Sequence, residues 1–222
     1  MRNIIIALPF LLLMGCIPPS SHTIYWANYS FSLSKVERPE KATQRYGLQK
    51  IDVLSSDKYS SYFEDDLVKV LWSVSVSNVS FSIQNKTDHS IKIPWDEASF
   101  IDANGSSHRV MHIGVKYVDR QQPQAPSIIA RKASIEDLVF PTDYVTWEDG
   151  QWEEQTFFPR ADYHSDYSKG TYPTFDSFNF ATKSNIGKSI QILLPLQIEE
   201  VVNDYIFTFK VDSVLTSQET KK

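Results

Sequence analysis

The sequence predicts an all-β fold of two packed antiparallel sheets interrupted by one long irregular insertion. Three observations predict it. Apolar and polar residues alternate with a period of two over residues 71–84 and again over 205–211. These runs are separated by polar, turn-forming stretches, Asn85-Lys86-Thr87-Asp88-His89 and Asn104-Gly105 among them. After the first fifteen residues no long apolar helical pattern occurs.

Those first fifteen residues stand apart. Met1-Arg2-Asn3 is a short positive start, and residues 4–14 form an uncharged apolar run. A permanent membrane helix needs about 20 residues, so this run has the length and flanks of a removable export signal instead. Cys16 follows Gly15 and is the only cysteine. Pro18-Pro19-Ser20-Ser21 neither extends a helix nor fills a core. The expected organisation is therefore a leader over 1–15, a tether over 16–23, one β domain over 24–215 and a polar tail over 216–222.

Within the domain a first strand is expected to begin near Ile24 or Tyr29, with Tyr25 and Trp26 as alternative interfacial aromatics. Residues 34–50 lack periodicity and read as irregular. Tyr59, Tyr62 and Phe63 have the spacing of one side of a brief helix. Trp72, Val74 and Val76 then alternate with serines, Val79, Phe81 and Ile83 repeat the pattern, and the shift of phase at Asn78 predicts a bulge or a bend. Ile91, Ile93 and Trp95 resume the alternation. Asn104-Gly105 predicts a hairpin whose return strand runs through His108, Val110 and His112. Strands are expected at Ile128-Ile129, over 135–140 up to Pro141, over 189–196 and over 205–211, where Tyr205, Phe207, Phe209 and Val211 share one face.

Composition bounds the function. With 22 basic and 27 acidic side chains the net charge is −5, and cleavage of the leader with Arg2 leaves 21 against 27, or −6. A polyanionic nucleic-acid backbone is repelled by this balance. One cysteine excludes an intrachain disulfide, a Cys-pair redox site and a multi-thiolate metal centre. No cofactor motif is present, and the serine-hydrolase, zinc-protease and phosphate-loop signatures are missing from the sequence.

Leu13-Met14-Gly15-Cys16 resembles the lipobox of bacterial lipoproteins, in which a large apolar residue stands three places before the cysteine and a small one directly before it. Met14 departs mildly from the usual small middle residue. The resemblance implies diacylglycerol on the Cys16 sulfur, cleavage after Gly15, and acylation of the new amine. Ile17, where an Asp would imply inner-membrane retention, implies the outer membrane of a two-membrane envelope. For the mature domain, the spacing of strands and turns is similar to immunoglobulin-like sandwiches of exported bacterial proteins, a resemblance of pattern only. The Cys-Trp-Cys arrangement of antibody domains is absent, and a small barrel is the alternative.

The candidate site lies in residues 143–166, where aromatics are interleaved with carboxylates. Trp147, Trp152 and Phe157 are expected to contact an envelope protein partner, with Glu148, Asp149 and Glu153 as a steering rim. The alternatives are aromatics that merely fold the segment onto the sheet, a glycan stacked on Trp147 or Trp152, and a hydrolase using Glu148 with Glu153 or Asp149 with Glu154. No metal site is expected: His108 and His112, four apart in a strand, stand about 13 Å from one another. Asp143, Asp149 and Asp162 lack the spacing of a calcium loop. Four Asn-x-Ser/Thr triplets, at Asn28, Asn78, Asn85 and Asn104, are read as coincidences.

Overall fold

The computed structural model describes residues 21–38, 47–48, 50–53, 60–165 and 168–221. The leader, Cys16 and most of the tether lie outside the described residues, as does Tyr59. Strand β1 (His22–Glu37) starts within the expected tether and turns Ala27, Tyr29, Phe31 and Leu33 inward on alternate positions. Strands β2 (Lys50–Val53) and β3 (Ser60–Glu64) follow. The brief helix expected around residues 57–66 is thus a strand: Phe63 is fully buried while its neighbour Tyr62 projects to the opposite face.

Strands β4 (Val68–Val74) and β5 (Val79–Asn85) pair in the register Val74↔Val79. The phase change at Asn78 is therefore a hairpin reversal, not a bulge or bend, and is closed by Ser75 N–H donating to Asn78 O at 3.0 Å. Next come β6 (Ile91–Ile93), β7 (Ser99–Ile101), β8 (Ser107–Met111), β9 (Ser127–Ile129) and β10 (Ser134–Pro141). The Asn104-Gly105 turn joins β7 to β8 as expected. Gly105 adopts φ +84°, and Asp102 Oδ1 accepts from the backbone N–H groups of Asn104 and Ser106.

The stretch expected as an irregular insertion is ordered: β11 (Val145–Glu148) and β12 (Gln151–Glu154) form a hairpin, and β13 (Ala161–Ser165) is an edge strand. A nine-residue helix α1 (Phe175–Lys183) is capped by Thr174, whose hydroxyl accepts from Ser177 N–H, and buries Phe178 and Thr182. Strands β14 (Ser189–Ile198) and β15 (Val201–Lys221) complete the chain. Within the polar stretch expected over 216–222, β15 continues to Lys221 by pairing with β1 from His22 onward.

All pairings are antiparallel, and the all-β class holds. One sheet has the order β13-β1-β15-β14-β7-β8-β10-β5-β4-β3-β2, with β6 bridging β14 and β9. The two sheets expected of an immunoglobulin-like sandwich are two halves of this single curled sheet. Among the described residues they join where β8 meets β10, through Phe140↔Met111 and Pro141↔Val110. The curl brings β3 back beside β1, where Leu33 N–H donates to Ser61 Oγ at 3.1 Å.

Aromatic side chains fill the space between the halves. Trp72 lies 4.7 Å from Phe207 and 5.3 Å from Phe209 by ring centres, and Phe63 lies 5.4 Å from Phe207. Full burial of such side chains contributes about 1.5–3 kcal/mol each. Asn85, within one of the glycosylation-like triplets, is fully buried. Its amide donates to the carbonyls of His89, Ile129 and Ala130 and ties the 85–89 turn to β9.

One buried carboxylate also links the halves. Asp65, in the turn before β4, accepts from Leu67 and Val68 N–H, from the Tyr205 hydroxyl at 2.8 Å, and from Arg38 Nη1 at 3.3 Å. Arg38 is itself almost wholly buried, so its charge depends on this partner. Asp65→Ala is expected to lower unfolding free energy by about 3–5 kcal/mol, against about 1 kcal/mol for Tyr205→Phe, both read from urea unfolding. A second expectation concerns alkali. Burial pushes the Tyr29 hydroxyl up to about 12, partly offset by the Asn185 amide that donates to it. Its stabilisation is complete below the ordinary tyrosine value of about 10 and is lost as pH rises from there through the folded value. Tyr29→Phe should flatten this alkaline limb of the unfolding curve.

Candidate functional site

The β11–β12 hairpin is built by its turn. Asp149 and Gly150 both have positive φ, +50° and +83°, which matches the twist of a two-residue hairpin. Register then places Trp147 opposite Trp152, their rings edge to face at 5.1 Å. Directly paired residues project to the same side. Val145, Trp147, Trp152 and Glu154 therefore share one face, and Thr146, Glu148, Gln151 and Glu153 share the other.

The aromatic face packs onto the corner of the sheet. Val145 is buried with Met111 and Phe140 in a small second core, edged by Tyr117, Leu138, Tyr144 and Trp152. The Arg120 guanidinium lies over the Trp152 ring at 4.9 Å, and its nitrogens donate to Tyr117 O at 2.8 Å and Thr142 O at 3.1 Å. Tyr117 stands edge-on to Trp152 at 5.8 Å and its hydroxyl donates to Glu154. That bond to Glu154, with burial second, pushes the Tyr117 hydroxyl up to about 12. Trp152 is consequently clamped and half-buried, whereas Trp147 remains 58% exposed.

The six residues expected at the contact thus separate into three groups. Trp147 and Trp152 form the aromatic face. Glu148 and Glu153 are exposed on the opposite face, with Asp149 at the tip, so these acids back the tryptophans and do not surround them. Phe157 leaves the group altogether: it packs on Phe100 at 4.5 Å and Tyr144 at 5.9 Å, while its N–H donates to Val76 O at 2.7 Å. It anchors the chain after the hairpin to the main core. The two suggested acid pairs gain no enclosure, because Glu148 and Glu153 are exposed and Glu154 is held by Tyr117 away from the Asp149 turn.

Beside the hairpin, three depressions of about 300, 310 and 490 Å³ converge on one residue, Ile113, whose side chain is 55% exposed. The first is an apolar cleft lined by Met111, Val115, Tyr117, Leu138 and Phe140, with Glu154 at its rim. The second lies over Leu71 and the serine face of β4 and β5, and the third along the 112–127 loop. The loop carrying Ile113 is held from below. Asp137 Oδ1 accepts from Ile113 and Leu138 N–H at 2.9 Å each, and its Oδ2 lies 3.3 Å from His112 Nδ1. The His112 ring in turn stacks flat on Trp95 at 4.4 Å.

His108 has separate partners. Its Nδ1 lies 2.8 Å from Asp143 and its Nε2 3.6 Å from Asp102. Burial raises the Asp102 carboxyl, but the N–H groups of Ser106 and Asn104 outweigh it and hold the carboxyl below its usual range. The two histidines therefore brace two different loops. Asp162 is buried and accepts from Thr171 and Tyr172 N–H and pairs with His164 at 2.9 Å. Among the described residues no three His, Cys, Asp or Glu side chains gather as metal ligands.

The arrangement offers a rigid exposed indole, an apolar cleft and an exposed isoleucine, with an acidic back face. Ile113 and Tyr117 are members that sequence reasoning did not single out. Comparison with protein-family models, curated proteins and solved structures finds no match to this chain, so its functional reading rests on its own residues.

The clamp predicts unequal roles for the two tryptophans. Trp152→Ala removes the surface that Arg120 and Tyr117 grip, and is expected to cost about 2 kcal/mol or more and to free the hairpin. Trp147→Ala should stay within about 1 kcal/mol of the native protein, since only the cross-strand ring contact is lost. Thermal unfolding and amide exchange at Val145 and Trp152 distinguish them. Equal losses would show that the hairpin is held otherwise.

Proposed function

We propose that this chain is a non-catalytic lipoprotein of the bacterial cell envelope, anchored through acyl groups on Cys16, whose β domain binds an envelope protein through the Trp147–Ile113 surface. The anchor reading rests on Leu13-Met14-Gly15-Cys16 and on the apolar run before it. By the same resemblance Ile17 favours the outer membrane. The binding reading rests on one observation above all, that Trp147 is exposed yet mounted on a hairpin whose other tryptophan is clamped. A preorganised aromatic side chain loses little freedom on binding, which is the property of residues that dominate interface energetics.

Glu148 and Glu153 on the back face, with Asp149 at the tip, favour approach by a basic partner and set orientation more than affinity. Confinement to a membrane raises the effective concentration of a membrane-bound partner, so modest intrinsic affinity suffices.

Crosslinked pull-down from solubilised envelopes, comparing the native chain with Trp147→Ala and with Ile113→Ser, tests this surface. Loss of the same partner in both variants is expected, with affinity for the isolated partner reduced by about 2 kcal/mol, roughly 30-fold, for Trp147→Ala. An unchanged set of partners in both variants would reject it. The anchor is tested apart from the surface, by mass spectrometry of the protein from its native host. Acylated Cys16 at the N-terminus is expected, and a bare thiol or a retained leader would refute the anchor.

A further inference from the structure

We propose that the outward face of the β13–β1–β15 corner is a bilayer-docking surface, occupied by the phospholipid headgroup interface. This rests on the lipid-anchor reading of Cys16 and adds to it an orientation.

The two faces of this corner differ. On the inward face, Tyr25 packs on Phe175 at 5.5 Å and Phe178 at 5.7 Å, so helix α1 covers it. The outward face is set by register. Ile24 is paired with both Tyr163 and Glu219, Trp26 with Ala161 and Ser217, and Asn28 with Leu215, and each set projects to one side of the sheet. The His22 ring stacks on Tyr163 at 5.6 Å across this same side, as the alternation requires.

Ile24, Trp26, Tyr163 and Leu215 therefore form a continuous row over three strands, in which Tyr163 is 51% and Leu215 69% exposed. Such a row is costly to leave in water, and a mixture of Trp and Tyr with aliphatics is the composition that partitions to the headgroup level of a membrane.

The occupant follows from the length of chain outside the described residues. Cys16 precedes His22 by six positions, which spans at most about 20 Å when fully extended. Acyl chains on Cys16 thus hold the start of β1 close to the lipid surface, with little room for a folded protein between them. The only carboxylate paired into this row, Glu219, is met by Lys221 at 3.3 Å, so an anionic bilayer faces a compensated charge.

The test couples the sole cysteine of the chain from Cys16 onward to a maleimide-bearing phospholipid. This tethers the domain whether or not the cell acylates it. Vesicles of phosphatidylethanolamine and phosphatidylglycerol are made with brominated acyl chains, which quench tryptophan only at membrane depth. Co-flotation verifies the tether.

Quenching of part of the native tryptophan emission is expected, and its loss in Trp26→Phe. Tyr163→Ser with Leu215→Ser, both at exposed positions, should also lower the quench while unfolding midpoints stay unchanged. Absence of quenching in tethered native protein, or quenching equal in native and Trp26→Phe protein, overturns the docking proposal. A bare Cys16 thiol in native material overturns the anchor reading instead and leaves this measurement intact.

Discussion

Among the described residues the ladder joins the two halves of the sheet through two residue pairs, at the meeting of β8 and β10. Everything else that keeps the sheet curled is side-chain contact across the interior, and its centre is Trp72 against Phe207 and Phe209. That contact depends on the register of β15. Its period of two turns Tyr205, Phe207, Phe209 and Val211 inward, all fully buried. A slip of one residue would expose all four, and β15 is held against slipping by partners on both edges, β1 and β14. Asp65 adds a directional element, since it takes hydrogen bonds from Arg38 beside β1 and from Tyr205 in β15 while capping the start of β4.

The candidate site is a consequence of this architecture. Strand β8 pairs with β7 through Ser107, His108 and Arg109 and then with β10 through Val110 and Met111, so it is the strand that turns the corner. At a corner the halves diverge, and the chain leaving β8 runs over the edge and does not continue a ladder. The cleft beneath Ile113 opens there, and Asp137 in β10 holds the departing loop by accepting a hydrogen bond from the Ile113 backbone N–H. The β11–β12 hairpin, emerging from the other side of the same corner, reaches the rim of the cleft with Glu154.

Much of this fold was legible as period-two alternation. Strands β4, β5 and β15 each carry it cleanly because one face meets the core and the other meets water or hydroxyls. The hairpin was hidden because neither of its faces meets the main core: Trp147 is exposed, and Glu148, Gln151 and Glu153 fill the other side, so hydrophobicity shows no period. The signal that was available is Asp149-Gly150, the same kind of turn dipeptide as Asn104-Gly105. Strand β3 misleads in the opposite way, since Tyr59, Tyr62 and Phe63 happen to have helical spacing while Tyr62 and Phe63 face opposite sides. Helix α1 is signalled only by Thr174 and Ser177 at its start, because nine residues are too few for apolar periodicity to stand out. The exposure of Ile113 was not readable at all, being set by where the sheet turns its corner.

The two surfaces are related through strand order. The row proposed to meet the bilayer lies on β13, β1 and β15, whereas the hairpin is attached at β8 and β10. Four strand spacings of about 4.8 Å along the curled sheet separate β1 from β8. A tether alone permits the domain to tumble above the membrane, and a contact surface on a tumbling domain meets its partner in many wrong orientations. The second contact proposed at the β1 corner would remove most of that freedom before a partner arrived. The orientational cost of assembly would then be met at the membrane surface, with the exposed indole of Trp147 on strands apart from the proposed lipid contact.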